Sequence, residues 1–197
     1  MVFANVKYFE DVLPSNLFHN SLERLAQINK TYTNKTNWYS YILRDANSET
    51  EGLINYLIDL IDPKKNLFEG VEWWLRIKPI DDKKPFHFDK DEYLYKEERR
   101  VSHPVFASVF YFNEYGGETV VVDQILDPIS LKLSPEFPTH QIKIKPKGNS
   151  FFVFPGELYH GVLSSDIPQT ERNKLRVTLL VNWWKNKPSR ENFLEYS

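Results

Sequence analysis

Beyond Glu69-Gly70 the chain turns into a succession of aromatic and β-branched runs parted by turn residues, at 71–78, 85–89, 104–113, 117–123, 140–145, 149–154, 160–164 and 174–184. Short runs of this make-up read as strands. Ahead of them the periodicity is helical. Leu17, Leu22, Leu25 and Ile28 recur at near-helical spacing behind Pro14-Ser15. Leu53, Ile54, Leu57, Ile58 and Ile61 recur at intervals of three and four from about Ser48 until Asp62-Pro63 supplies a stop. Two helices followed by about eight strands predict a mainly β fold, a double-stranded β-helix or jelly roll with the helices packed on one sheet. Such a barrel has a mouth in which a small molecule can sit. The segment 124–139, with Pro128, Pro135 and Pro138, reads as a long irregular insertion between strands.

With no internal repeat, low-complexity tract or Gly/Ser linker, residues 1–197 read as one domain, with helical support over about 14–62 and a β-helix core over about 71–184. A chain of this length can bury roughly 70% of its unfolded surface. The 14 Phe, 11 Tyr and 5 Trp supply material for that core without disulfides. There is no cysteine, which excludes a disulfide scaffold, thiolate zinc ligation, iron–sulfur ligation and a cysteine nucleophile. The first ten residues lack a basic region followed by an apolar run, and no stretch approaches the length of a membrane span, so the chain reads as soluble and cytoplasmic. A formal net charge of -2 recruits neither nucleic acid nor an anionic membrane. Lys143, Lys145 and Lys147 alternate with Ile142, Ile144 and Pro146, the period of a half-exposed strand with a solvated lysine face.

His87-Phe88-Asp89 lies in the second of the β runs and His160 opens the seventh. Strand alternation points His87 and Asp89 to one face, and a third ligand from another strand completes one face of an octahedral ion. Two imidazoles and one carboxylate that leave three positions open suit an Fe(II) reaction centre rather than a structural clip.

The chain resembles the Fe(II)- and 2-oxoglutarate-dependent dioxygenases, in particular the prolyl-4-hydroxylase-like branch, over roughly residues 71–184. Four ordered elements carry the resemblance: His87-Phe88-Asp89; the run Tyr111-Phe112-Asn113-Glu114-Tyr115-Gly116-Gly117-Glu118-Thr119; Phe154-Pro155-Gly156 leading to His160-Gly161-Val162; and Arg176-Val177-Thr178. The resemblance implies His87, Asp89 and His160 as iron ligands and catalytic residues. It implies 2-oxoglutarate and dioxygen in the open positions, with ascorbate as an auxiliary reductant. A 2-oxoglutarate held through its keto acid end leaves its other carboxylate in need of a cation, and arginine suits that role because its planar fork binds carboxylates bidentately. Arg176 and Thr178 share one strand face and are the cofactor-binding pair expected there; Arg172 is the competing arginine, placed in the preceding loop. Halogenating relatives lack the carboxylate ligand, so Asp89 implies hydroxylation or desaturation. The group oxidised would belong to an amino-acid side chain in a protein or peptide, or to a free amino-acid-like small molecule. A tyrosine that the family often places upstream near the cosubstrate is missing from Trp74-Leu75-Arg76-Ile77-Lys78-Pro79, where Arg76 is a loose substitute.

Two other function classes fit parts of the pattern: a non-catalytic jelly-roll binding or sensor module, and a cupin-like metalloenzyme that does not use 2-oxoglutarate. Asp91 is the fallback carboxylate ligand. The segment 90–102, rich in charge and carrying Tyr93, Tyr95, Arg99 and Arg100, is placed to act as a lid. Gly116-Gly117 reads as a hairpin turn. His19, His103 and His140 have no partner at ligand spacing and read as ordinary surface or strand-end histidines. The pairs Trp73-Trp74 and Trp183-Trp184 read as core, with one ring of each toward the barrel and an aromatic site wall open to one of them.

Overall fold

A computed structural model of the protein describes residues 3–28, 37–40, 46, 48–165 and 173–189. In chain order the elements are β1 (Lys7–Phe9), α1 (Ser15–Ile28), β2 (Asn37–Tyr39), α2 (Glu49–Ile61), β3 (Gly70–Pro79), β4 (Lys84–His87) and α3 (Glu92–Glu98). They continue with β5 (Phe106–Tyr111), β6 (Thr119–Leu126), β7 (Leu133–Ser134), β8 (Gln141–Ile144), β9 (Ser150–Pro155), β10 (Leu158–Val162) and β11 (Leu175–Trp184). The larger sheet has the order β1-β9-β5-β11-β3-β2, and the smaller runs β4-β10-β6-β7 with β8 also on β6. From β3 to β6, and again from β9 to β11, each successive strand falls in the other sheet. That alternation makes the architecture a double-stranded β-helix.

Two apolar layers hold it together. α2 starts at Ser48, whose side chain accepts from the Glu51 backbone N–H, and ends at Asp62 before Pro63. Its Ile54, Leu57 and Ile58 are fully buried on the outer face of the larger sheet, against Val71, Trp73, Leu179, Val181 and Trp183. Each such side chain contributes about 1.5–3 kcal/mol by leaving water. Inside the roll, Ala107, Val109, Tyr111, Phe152 and Phe154 of the larger sheet meet Val121 and Leu158 of the smaller. α2 therefore braces one sheet from outside, which leaves the space between the sheets free for a site. Among the described residues no helix is long and apolar enough to cross a membrane.

The expected strands all occur, with β4 ending at His87 rather than at residue 89. Three short strands, β1, β2 and β7, have no counterpart in the sequence reading, because two or three residues are too few to show a period. The lysine stripe falls on β8, where Lys143 is exposed and Ile142 and Ile144 pack inward. In α1, Leu17 is exposed, at 46%; the side chains of Leu22, Leu25 and Ile28 lie outside the described residues. The segment 124–139 is irregular apart from the end of β6 and β7, and is tied down locally. Asp127 accepts the Ile129 and Ser130 backbone N–H groups, and the Gln124 amide donates to the Pro135 and Glu136 carbonyls.

Candidate active site

His87 and His160 face each other across the β4–β10 pair. Their ring centroids are 4.4 Å apart. Each ring is oriented the same way: Nδ1 lies 2.9 Å from the carbonyl oxygen two residues earlier, Pro85 for His87 and Leu158 for His160. A carbonyl only accepts, so both Nδ1 atoms carry the proton and both Nε2 atoms present a lone pair. The two Nε2 atoms converge on the Asp89 carboxylate at 3.7 and 3.6 Å, too long for hydrogen bonds. Ligating atoms of the three residues all lie within 4.8 Å of one another. Burial, followed by the closeness of His160, lowers the His87 pKa to about 4, so its imidazole is neutral at physiological pH. Two Nε2 atoms and a carboxylate on one side of an open space form a set that a divalent cation fits. The tautomers are fixed by the kind of carbonyl contact that usually supports ligating histidines.

Asp89 reaches this cluster from beyond the end of β4, and not, as alternation along a strand predicts, from the same strand as His87. What fixes it is His103. The His103 Nδ1 donates to the Asp89 carbonyl at 2.7 Å, and its ring lies 5.9 Å from Phe88. Phe88 in turn packs against Tyr159, beside His160, with the ring centroids 4.7 Å apart. His103 lies outside the donor cluster, and to its strand-end position the structure adds a contact that holds the segment carrying the carboxylate. No spacing rule reveals this, because the contact is to backbone. His103→Ala is expected to weaken divalent-metal affinity by roughly 10- to 100-fold, with His103→Asn restoring part of it. Equal metal affinity in all three proteins, by chelator competition, would refute that role.

A cavity of about 80 Å³ between the sheets joins the cluster to Arg176 and Thr178. Both are buried on β11, at 5% and 1% exposure. The Arg176 guanidinium donates to the Gly117 carbonyl and, at 3.0 Å, to Thr119 Oγ1, and it lies over the Tyr111 ring. Among the described residues its hydrogen-bond partners are neutral. Burial lowers the Arg176 pKa and pushes the Tyr111 phenol up to about 12, so the phenol keeps its proton and donates to Thr119 Oγ1 at 2.7 Å. Accepting from both Tyr111 and Arg176 leaves the Thr119 proton for a third partner, and Thr119 lines the cavity. Tyr111 and Thr119 stand in the run around Gly116-Gly117, yet only the pairing of β5 with β11 and the approach of β6 from the facing sheet show that they meet Arg176. Arg76, the loose substitute for an upstream tyrosine, also lines the cavity but is ion-paired with Asp82 at 2.6 Å.

The Gly116-Gly117 segment, which joins β5 to β6 in the other sheet and so is not the hairpin turn expected from the sequence, seats Arg176. Gly116 has φ +98, and a Cβ there would come within 2.8 Å of Arg176 Cδ. A Cβ on Gly117 would overlap the Leu163 carbonyl. Gly117→Ala is expected to destabilise the protein by about 1–3 kcal/mol and to displace the carbonyl that receives Arg176. An unchanged melting temperature would contradict that packing.

Asp91, the fallback ligand, caps α3: one oxygen accepts from the Leu94 N–H and the other from the Ser189 N–H. Segment 90–102 is therefore built on a helix rather than an open loop, with Arg99 over Tyr95 and Arg100 paired with Glu98. Trp74 is the site wall, half-buried in the cavity, whereas Trp73 and Trp183 belong to the outer core. His19 Nδ1 contacts the Ser15 carbonyl, and His140 stands near Asp123 and Thr139. Neither joins the cluster. Arg172 lies outside the described residues.

No family model and no curated protein matches the sequence. Solved structures match its fold. A prolyl-4-hydroxylase from Pseudomonas putida superposes over 92% of this chain and 88% of its own, with a TM-score of 0.58 at 15% identity. The chain shares the double-stranded β-helix fold of that enzyme. HygX from Streptomyces hygroscopicus, solved with nickel and 2-oxoglutarate bound, matches with a TM-score of 0.53 at 12% identity, covering 93% of this chain and 83% of that one. SnoN, a non-heme alpha-ketoglutarate-dependent epimerase from nogalamycin biosynthesis, gives 0.55 at 8% identity, over 94% and 82% of the two chains. At identities this low the likeness shows a shared fold alone.

Proposed function

We propose that the protein is an Fe(II)- and 2-oxoglutarate-dependent dioxygenase that hydroxylates an amino-acid side chain in a peptide or a free amino-acid-like small molecule. The observation that carries this reading is the buried Arg176, held by neutral partners and opening on the same cavity as His87, Asp89 and His160. A buried guanidinium facing a cavity calls for an anion. Placed beside three open metal donors, that anion is the distal carboxylate of a keto acid. The solved neighbours support the same assignment, HygX having been crystallised with 2-oxoglutarate and a divalent metal.

His87, Asp89 and His160 would hold Fe(II), while Arg176, Thr178 and Thr119 would hold 2-oxoglutarate. Iron and 2-oxoglutarate, when bound, supply oxidative decarboxylation to succinate and carbon dioxide coupled to oxygen insertion into a C–H bond. The chain's own contribution is positional. The Nδ1 contacts to Pro85 and Leu158 keep both Nε2 lone pairs inward, and the Arg176–Thr119–Tyr111 network aims donors at one end of the cavity. Phe154, Val109 and Leu180 line the remainder and keep it poor in water. Incubating the purified protein with Fe(II), 2-oxoglutarate and air, with and without panels of amino acids and peptides, tests the proposal. Succinate is expected, with a gain of one oxygen on at least one panel member. Absence of succinate under every condition would leave the binding-module reading in its place.

A further inference from the structure

A second chamber of about 170 Å³ adjoins the first and shares His87, Asp89, Trp74, Lys84 and Asn182 with it. Its other charged walls are Glu72, Lys90, Asp91 and Glu92. Nearly all of this charge is already matched. Lys90 is paired with Glu92 at 2.8 Å, both oxygens of Asp91 receive backbone N–H groups, and Glu72 accepts from the Asn182 amide. Lys84 is different: among the described residues no hydrogen bond or ion pair holds its ammonium, although it is half-buried beside the metal cluster. Lys78 is likewise unpaired but lines only the first chamber, on the strand pair that carries Arg176.

Lys84 points into the site because the strand is built to aim it there. Between Lys84↔Val162 and His87↔His160, β4 advances three residues while β10 advances two. Regular alternation would put Lys84 and His87 on opposite faces; the extra residue puts both on the cavity side. Gly161 accommodates the irregularity, since a Cβ there would lie 2.9 Å from the Lys84 carbonyl and 3.1 Å from the Phe86 nitrogen. The same bulge supplies the Pro85 carbonyl that orients His87. One local irregularity thus brings together a metal-facing imidazole and an unmatched cation.

We propose that Lys84 is a specificity residue, and that the substrate oxidised here carries a carboxylate that pairs with it in the second chamber. The inference rests on the dioxygenase reading above and narrows its substrate class. That carboxylate has two sources, the α-carboxylate of a free amino acid or an acidic side chain in a peptide. The probes separate them: the common amino acids as free acids and as C-terminal amides, and end-capped peptides with Asp or Glu against the same peptides with Asn or Gln. Substrate-stimulated succinate and mass gain are read for each pair.

Active probes are expected to be the carboxylate member of their pair, the neutral member being poorer by roughly 10- to 100-fold in kcat/KM. Lys84→Met should erase that preference and Lys84→Arg keep most of it, each variant being checked for one iron per chain. Equal turnover of acid and amide would overturn the proposal, as would a preference that survives Lys84→Met. So would a wild-type protein that binds iron and 2-oxoglutarate by calorimetry and yields succinate, yet responds to no carboxylate probe. Failure of the dioxygenase reading looks different, because then calorimetry shows no 2-oxoglutarate binding at all, and both proposals fall.

Discussion

His160→Ala is expected to purify with less than about one-tenth of an equivalent of iron after reconstitution, and to lose at least about 10³-fold in 2-oxoglutarate turnover. The three donors come from three places: the end of β4, the coil after it and the middle of β10. Two donors that remain after truncation cannot close one face of an octahedral ion, and water at the vacated position does not replace an imidazole whose orientation was already fixed by the Leu158 carbonyl. His87→Ala and Asp89→Ala should behave alike. The fold should survive, since the apolar layers around α2 and inside the roll contain none of the three residues. One equivalent of iron in folded His160→Ala protein, measured by metal analysis alongside circular dichroism, would remove His160 from the ligand set.

What the sequence revealed follows the range of its periodicities. Strands of four or more residues with aromatic and β-branched runs were legible, and so was α2, whose apolar positions at three and four face a single sheet. The candidate donors were legible as well, since His87, Asp89 and His160, picked out by residue type and spacing, do come together. Geometry that depends on irregularity was not. Strict alternation puts Asp89 beside His87 on a strand, but the strand ends first and His103 makes good the loss of ladder bonds by holding the Asp89 carbonyl. Alternation likewise hides Lys84, which only the β4 bulge turns inward. Tyr111 and Thr119 were visible as letters of a motif, but their meeting with Arg176 is set by the pairing of β11 with β5 and by the glycine turn, which no local pattern encodes.

Arg176→Ala should raise the dissociation constant for 2-oxoglutarate by roughly 10²-fold or more, the usual consequence of truncating one partner of a buried, hydrogen-bonded charge pair. The effect is large because the guanidinium is already oriented by Gly117 and Thr119, so little ordering cost accompanies binding. Arg176→Lys should recover only part of it: a point charge can approach the carboxylate, but the fork that serves Thr119 and the ligand together is lost. Charge attraction from Lys78 and Lys84 persists in every variant, so residual binding of a dianion is expected and does not by itself count against Arg176. The decisive comparison uses 2-oxobutyrate, which keeps the keto acid and lacks the distal carboxylate. If Arg176 holds that carboxylate, Arg176→Ala lowers affinity for 2-oxoglutarate while leaving 2-oxobutyrate nearly unaffected, and calorimetry on metal-loaded protein reads both. An equal change for the two ligands would place the guanidinium elsewhere in the binding event. No change for either would favour a cupin-like metalloenzyme that has no use for 2-oxoglutarate.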